Sequence, residues 1–375
     1  MQKETSGGIN KILAAVLIGI MLILMIGIVV SGWQTDSSRE NNGEGGILTE
    51  NADNLNGDTD KESGTADNFI NTENTYPKPP QYVNYLTGLA TEEAYQNRAP
   101  YSFVIDPNFT SYGISGSELT IEVQTENGNT RFLNFKTNIT DLGKLGAFCA
   151  TRDYITQLSK MFGGVLVSYG EDDIISYPSL SSKIDIDLTK HNDVIFKENG
   201  KSTYTNGESV SKITKDDGID IITYKRPSLP YDFADFGSKI TGTTSAECVY
   251  IPYSNENKTS FVYNTADNSY TLYKNERIKV DMLNGQNVSY TNVFVLFADV
   301  VTYETAYGTE TIVNTATEGT GYYISSGTLT EIKWSVDSSN NLIFKNLNGN
   351  KLVVNRGNSF IGYYKASASQ DVTFQ

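Results

Sequence analysis

Three carboxylates (Asp106, Glu122 and Glu126) and two arginines (Arg131 and Arg152) have the chemistry and spacing to build a reactive or binding site. Paired carboxylates hydrolyse glycosidic bonds without any histidine. Glu122 and Glu126 are four residues apart and would point the same way only if one strand ran through both. Arg131 and Arg152 would bind substrate in such a site or serve as ion-pair partners. Ion pairs and solvated edges are the expectation, so Asp106, Glu122 and Glu126 stand as catalytic candidates without an assigned reaction. The single histidine, His191, sits in a polar loop, Thr189-Lys190-His191-Asn192-Asp193. General acid–base work near neutral pH most often recruits histidine. With only one, outside every motif, a surface role is expected and Ser–His–Asp or Cys–His catalysis has no support.

Two cysteines, Cys149 and Cys248, lack the CxxC spacing of a zinc site. Cys149 lies in the apolar stretch Ala147-Phe148-Cys149-Ala150, where a buried thiol is expected, although an oxidising compartment would permit a disulfide. Glu171-Asp172-Asp173 and Asp185-Ile186-Asp187 are acidic enough for calcium but lack the spacing of a complete EF-hand loop. No metal and no cofactor is assigned. Trp334 with Tyr322 and Tyr323 would suit either a sugar platform or a sheet core, and the core is the commoner use.

These residues must be held by a mainly β body. Apolar runs at Tyr101–Ile105, Leu119–Val123, Phe132–Phe135 and Val165–Val167, each bounded by Asn, Gly, Pro or Ser, predict strands. Thr91-Glu92-Glu93-Ala94 predicts a short helix capped by Thr91. Tyr154, Ile155, Leu158 and Phe162 predict an amphipathic helix over Thr151–Phe162, stopped by Gly163-Gly164. From about Glu247 the helical signals end. Short β runs from Val249–Tyr253 to Phe360–Tyr364 follow, with hairpin dipeptides such as Asn284-Gly285 and Asn348-Gly349 between them.

Ahead of this body, Ile12 to Val30 is a nineteen-residue run without a charge. At about 1.5 Å per residue it would span roughly 28 Å, close to the hydrocarbon thickness of a bilayer. Lys3 and Lys11 precede it and Asp36 is the first charge after it, which orients the N-terminus to the cytoplasm. Val29 and Ser31 could serve a signal peptidase, but the run is too long for a signal h-region. Between Gln34 and Tyr76 ten acids face two bases, about half of the net charge of −15. So polar and acidic a stretch cannot offset its ordering entropy and is expected to be disordered. The acidic balance excludes nucleic acid as a partner.

Leu86-Thr87-Gly88-Leu89, Asn97-Arg98-Ala99-Pro100 and Thr130-Arg131-Phe132-Leu133 open an ordered series of short motifs. Gly319-Thr320-Gly321-Tyr322-Tyr323, Ile332-Lys333-Trp334-Ser335, Asn348-Gly349-Asn350 and Gly357-Asn358-Ser359-Phe360-Ile361 complete it. In order and spacing the set resembles the YerB-type family of bacterial membrane-tethered proteins, many of them of lipoprotein type and without an established activity. The chain departs from that pattern where the family carries a stretch like GPVRSAR before its helix; in Gly143 to Arg152 only Arg152 matches. A family histidine is replaced near Ser168-Tyr169-Gly170, and a Pro-His-Asn stretch reads Tyr204-Thr205-Asn206. The resemblance therefore implies a divergent member lacking most of the family's polar groups.

The expected fold class is α+β, after one transmembrane helix and a disordered linker. The expected divisions are a cytoplasmic tail at 1–11, an anchor at 12–33, an acidic linker at 34–80, a mixed α/β domain at 81–240 and a mostly antiparallel β domain at 241–375. The expected function is that of a membrane-anchored extracytoplasmic binding or accessory protein of the bacterial cell envelope. Its expected partners are the membrane, through the N-terminal helix, and envelope polysaccharide or an envelope protein. The alternative is an envelope glycan hydrolase using the paired carboxylates.

Overall fold

Side chains that alternate strictly between two faces set the architecture. The computed structural model describes residues 78–171, 184–200, 202–222, 226–306 and 308–375. The anchor at 12–33 and nearly all of the 34–80 linker lie outside them. Among the described residues, no helix is long and apolar enough to cross a membrane.

The described chain is mostly β. In the first half the principal strands are β1 (Tyr101–Ile105), β2 (Leu119–Gln124), β3 (Thr130–Lys136), β4 (Leu145–Phe148), β5 (Val165–Ser168) and β6 (Ser202–Thr205). In the second half they are β7 (Cys248–Pro252), β8 (Lys258–Asn264), β9 (Ser269–Lys274), β10 (Asn292–Ala298), β11 (Glu318–Ser325), β12 (Thr328–Val336), β13 (Leu342–Asn346) and β14 (Ser359–Lys365). A 14-stranded sheet takes its central order β12-β11-β10-β14-β2-β3-β1-β4-β6 from both halves. β14 lies between β2 and β10 and runs parallel to both, with Ser359 level with Leu119 and Asn292. A strand covered on both sides and both faces should read as a continuous apolar run. Phe360-Ile361-Gly362-Tyr363-Tyr364 does, and it is buried throughout.

Alternation divides the apolar side chains into two cores. Phe103 and Ile105 of β1, Val293 and Val295 of β10, and Phe360 of β14 enter one. Val104, Phe294, Leu296 and Ile361, their neighbours in sequence, enter the other. A smaller sheet containing β7, β8 and β9 closes the first core with Val249, Phe261, Tyr270 and Leu272. Helix α2 (Asp153–Met161) closes part of the second with Tyr154, Ile155, Leu158 and Met161. Fully burying one such side chain is worth about 1.5–3 kcal/mol.

The glycines of Gly319-Thr320-Gly321 have a packing reason. A β-carbon at Gly319 would collide with Phe297 O and the Trp334 ring, and one at Gly321 with Val295 O. β11 can therefore lie against β10 only because these side chains are absent.

The helices differ from expectation in detail. Helix α1 spans Glu93–Gln96, with Glu92 rather than Thr91 at its N-cap and no side-chain cap hydrogen bond. Helix α2 ends as expected, with Gly163 in the left-handed region at φ +69°. Helix α3 (Gly207–Asp216), absent from the sequence expectations, is capped by Asn206, whose Oδ1 accepts from Ser209 N at 2.8 Å. Trp334 is 1% exposed and donates from Nε1 to Phe297 O at 3.2 Å, so the aromatic group is core and not a sugar platform.

Candidate functional site

The candidate residues divide between two places. The first is a fork in the large sheet. On one edge of β1, Tyr101 to Phe103 pair with β5, while Ile105 pairs with Phe148 of β4. The two partners diverge there, and the β4–α2 connection fills the gap. Cys149 N donates to Val104 O at 3.1 Å, Tyr169 N to Cys149 O at 3.1 Å, and Thr151 N to Gly170 O at 3.1 Å.

Charged side chains line this fork. Arg152, immediately before α2 and 4% exposed, donates from Nη2 to Glu126 Oε2 at 2.7 Å and from Nε to Oε1 at 3.4 Å. Burial raises the Glu126 carboxyl, but the hydrogen bond and charge of Arg152 outweigh it and hold Glu126 below the usual range. Arg131, opening β3, donates from Nη1 to Ala150 O. Asp106, just after β1, accepts from Asn108 N at 2.9 Å, an ordinary Asx turn. Burial pushes the Cys149 thiol up to about 12; Arg131 and Arg152 work against that shift and Asp106 adds to it. The thiol is therefore protonated at neutral pH and no nucleophile. Neither Cys149 nor Cys248 is in a disulfide.

Glu122 belongs to the second place, the interior between the two sheets. It pairs in register with Phe132, whereas Arg131 pairs with Val123. Adjacent positions on a strand face opposite sides. Glu122 therefore points toward the small sheet and Arg131 toward the α2 face. The Glu122 carboxylate is 0% exposed and fully engaged. Its Oε1 accepts from Lys274 Nζ at 2.8 Å and Thr130 Oγ1 at 2.6 Å, and its Oε2 from Thr259 Oγ1 at 2.7 Å. Lys274 also donates to Asn257 Oδ1 at 2.5 Å and Thr259 Oγ1 at 2.9 Å. Burial and then the Glu122 charge push the neighbouring Tyr253 phenol well up. This network ties β2 and β3 to β8 and β9. The structure thus brings Arg131, Arg152, Glu126 and Asp106 to the fork and places Glu122 elsewhere.

The remaining candidates are engaged locally. His191 Nε2 lies 3.9 Å from Asp217 Oδ2. Asp185 accepts from Leu166 N at 2.8 Å and Asp187 from Thr189 N at 3.0 Å. Asp172 and Asp173 lie outside the described residues. Among the described residues, no three His, Cys, Asp or Glu side chains cluster as metal ligands would. Lys274 carries no local sequence signal, because only the fold brings it to Glu122. The same is true of Glu118, which lines a cleft with Tyr95 and Asn138.

Comparison with known proteins agrees with this architecture. Residues 86–220 match the N-terminal domain, and residues 249–361 the C-terminal domain, of a protein family of unknown function (DUF3048). The crystal structure of the YerB protein from Bacillus subtilis superposes with a TM-score of 0.66 at 19% identity, covering 79% of this chain and 100% of that one. No functionally curated protein matches the chain. With both domain models matched, in order and over well over half of its length, this chain belongs to the YerB-like DUF3048 family, whose function is uncharacterised.

Proposed function

We propose that this protein is a membrane-anchored, extracytoplasmic binding or accessory protein of the bacterial cell envelope, without hydrolytic activity. The uncharged run Ile12–Val30 would hold it in the bilayer with its N-terminus cytoplasmic. The acidic stretch at 34–80 would hold the body away from the lipid. Envelope polysaccharide or another envelope protein is the partner. One observation carries the non-catalytic part of this reading. Glu122, the central carboxylate of the hydrolase alternative, is 0% exposed, ion-paired to Lys274 and turned away from Arg131. A glycosidase needs two carboxyl groups flanking the scissile bond. Glu126 is already committed to Arg152. The test is to incubate the body, residues 77–375, with purified cell wall and to measure both pelleting and released fragments. Pelleting without release is expected. Release that disappears in Glu122→Gln would overturn the reading, and pelleting at background levels would leave only a spacer role.

A further inference from the structure

A cleft of about 390 Å³ opens where the turn leading into α1 meets the end of β3. Its volume falls within the about 300–1,000 Å³ of ordinary small-ligand sites. Its lining residues from Ala90 to Tyr95 fall in sequence between two motif segments of the first half, Leu86–Leu89 and Asn97–Pro100. Tyr95 supplies an aromatic wall, and the Arg98 guanidinium sits over that ring, 5.6 Å from its centroid. Glu118, Glu92, Thr91 and Asn138 supply polar groups around it.

Glu118 is the most constrained of these. One oxygen accepts from Thr137 N at 3.0 Å and the other from Thr137 Oγ1 at 2.7 Å. A carboxyl group offers about four acceptor positions, more than Thr137 and Asn84 fill. Burial raises the Glu118 carboxyl, with Thr137, Asn84 and Lys136 acting against that shift. A carboxyl accepts from a hydroxyl when ionised and donates to one when protonated. Asn138 Oδ1 accepts from Thr140 N at 3.0 Å and Thr140 Oγ1 at 2.6 Å. Its amide nitrogen has no acceptor among the described residues.

The walls select the ligand class. An apolar molecule would cover Glu92, Glu118 and Asn138 without pairing them, at a desolvation cost. A cation would meet two carboxyls but also the Lys136 and Arg98 charges beside them. A neutral, hydroxyl-rich ring fits both constraints, with its apolar face on Tyr95 and its hydroxyls on the polar groups. We propose that this cleft seats one sugar residue of an envelope polysaccharide, with Tyr95 as the stacking surface and Glu118, Glu92 and Asn138 as hydroxyl partners. This assignment rests on the envelope-binding reading above and gives it a site and a ligand class.

The test uses the full chain in detergent micelles, with two probes: pelleting on purified cell-wall sacculi, and titration with the tetrasaccharide of N-acetylglucosamine. Tyr95→Ala and Asn138→Ala change side chains outside the core, so melting temperatures should match the unmodified protein. Each is expected to weaken both interactions at least fivefold, while Leu347→Ala, an exposed change outside the cleft, leaves them unaltered. If the unmodified protein pellets and both cleft variants bind as it does, the cleft assignment is wrong and the envelope-binding reading survives. If the unmodified protein binds neither probe, the assignment fails together with polysaccharide as the partner.

Discussion

Replacing Lys274 by Met removes a cation from the interior and leaves Glu122 as a stranded carboxylate. Lys274 is 5% exposed and Glu122 0%, so water cannot replace the lost partner without opening the space between the sheets. Breaking a buried ion pair from one side costs about 3–5 kcal/mol. Whole-domain stabilities are about 5–15 kcal/mol, so this is a large fraction of the total. A large domain shifts its melting temperature by about 2–4 °C per kcal/mol, which gives a fall of roughly 6–20 °C for Lys274→Met. Thr130 and Thr259 still donate to the carboxylate, which favours the lower half of that range. The assay is calorimetric unfolding of the body at pH 7, completed as a double-mutant cycle with Glu122→Leu. Each single replacement should destabilise strongly. The double variant, with no charge left to strand, should recover most of the loss, because apolar replacement of a whole buried pair is often neutral or favourable. Additive losses, or a shift below about 3 °C for Lys274→Met, would refute the view that Glu122 is a structural partner.

Arg152→Ala should cost about 1.5–3 kcal/mol in urea unfolding, since it strands a largely buried carboxylate. The folded Glu126 carboxyl is held below its unfolded value, so its contribution is complete above about pH 4.5 and is lost as pH falls through the depressed value. The gap between Arg152→Ala and the unmodified protein should therefore close in acid, and a constant gap would contradict the assignment. Burial holds Lys136 down to about 8, with Glu118 and Asp281 acting against the shift. An unfolded lysine keeps its proton to about pH 10.5, so this group's contribution makes stability rise with pH from about 8 upward. The urea midpoint should increase between pH 8 and 9.5, and Lys136→Met should flatten that slope; an unchanged slope would place its cause elsewhere. With its thiol pushed up to about 12, Cys149 should resist iodoacetamide at pH 8 in the native state and react on unfolding. Rapid native labelling, read by mass spectrometry, would contradict that.

Much of the strand inventory was legible because burial on two faces writes an unmistakable pattern. Tyr101–Ile105 was delimited from sequence alone, and Leu119–Val123 missed only Gln124. Helix α2 was visible because Tyr154, Ile155, Leu158 and Phe162 keep helical spacing ahead of a glycine pair. Helix α3 was not, since Val210 and Ile213 are its only buried apolar side chains and its remaining residues are mostly polar. The sheet order was beyond local reading, because β14 reaches across the chain to lie beside β2. The candidate site shows the same division. Arg152 and Glu126 stand 26 residues apart, and Lys274 and Glu122 stand 152 apart. Neither pairing leaves a trace in local spacing. Glu122 drew attention as an acid within a strand, but its partner and its burial are properties of the assembled sheets.

The central claim, a body held outside the cell by Ile12–Val30, is tested most directly by protease accessibility. The full chain, carrying a C-terminal epitope, is expressed in a bacterium, and intact protoplasts are treated with externally added protease. The account predicts that the epitope disappears from intact protoplasts while a cytoplasmic marker persists. An epitope that survives until lysis would contradict it.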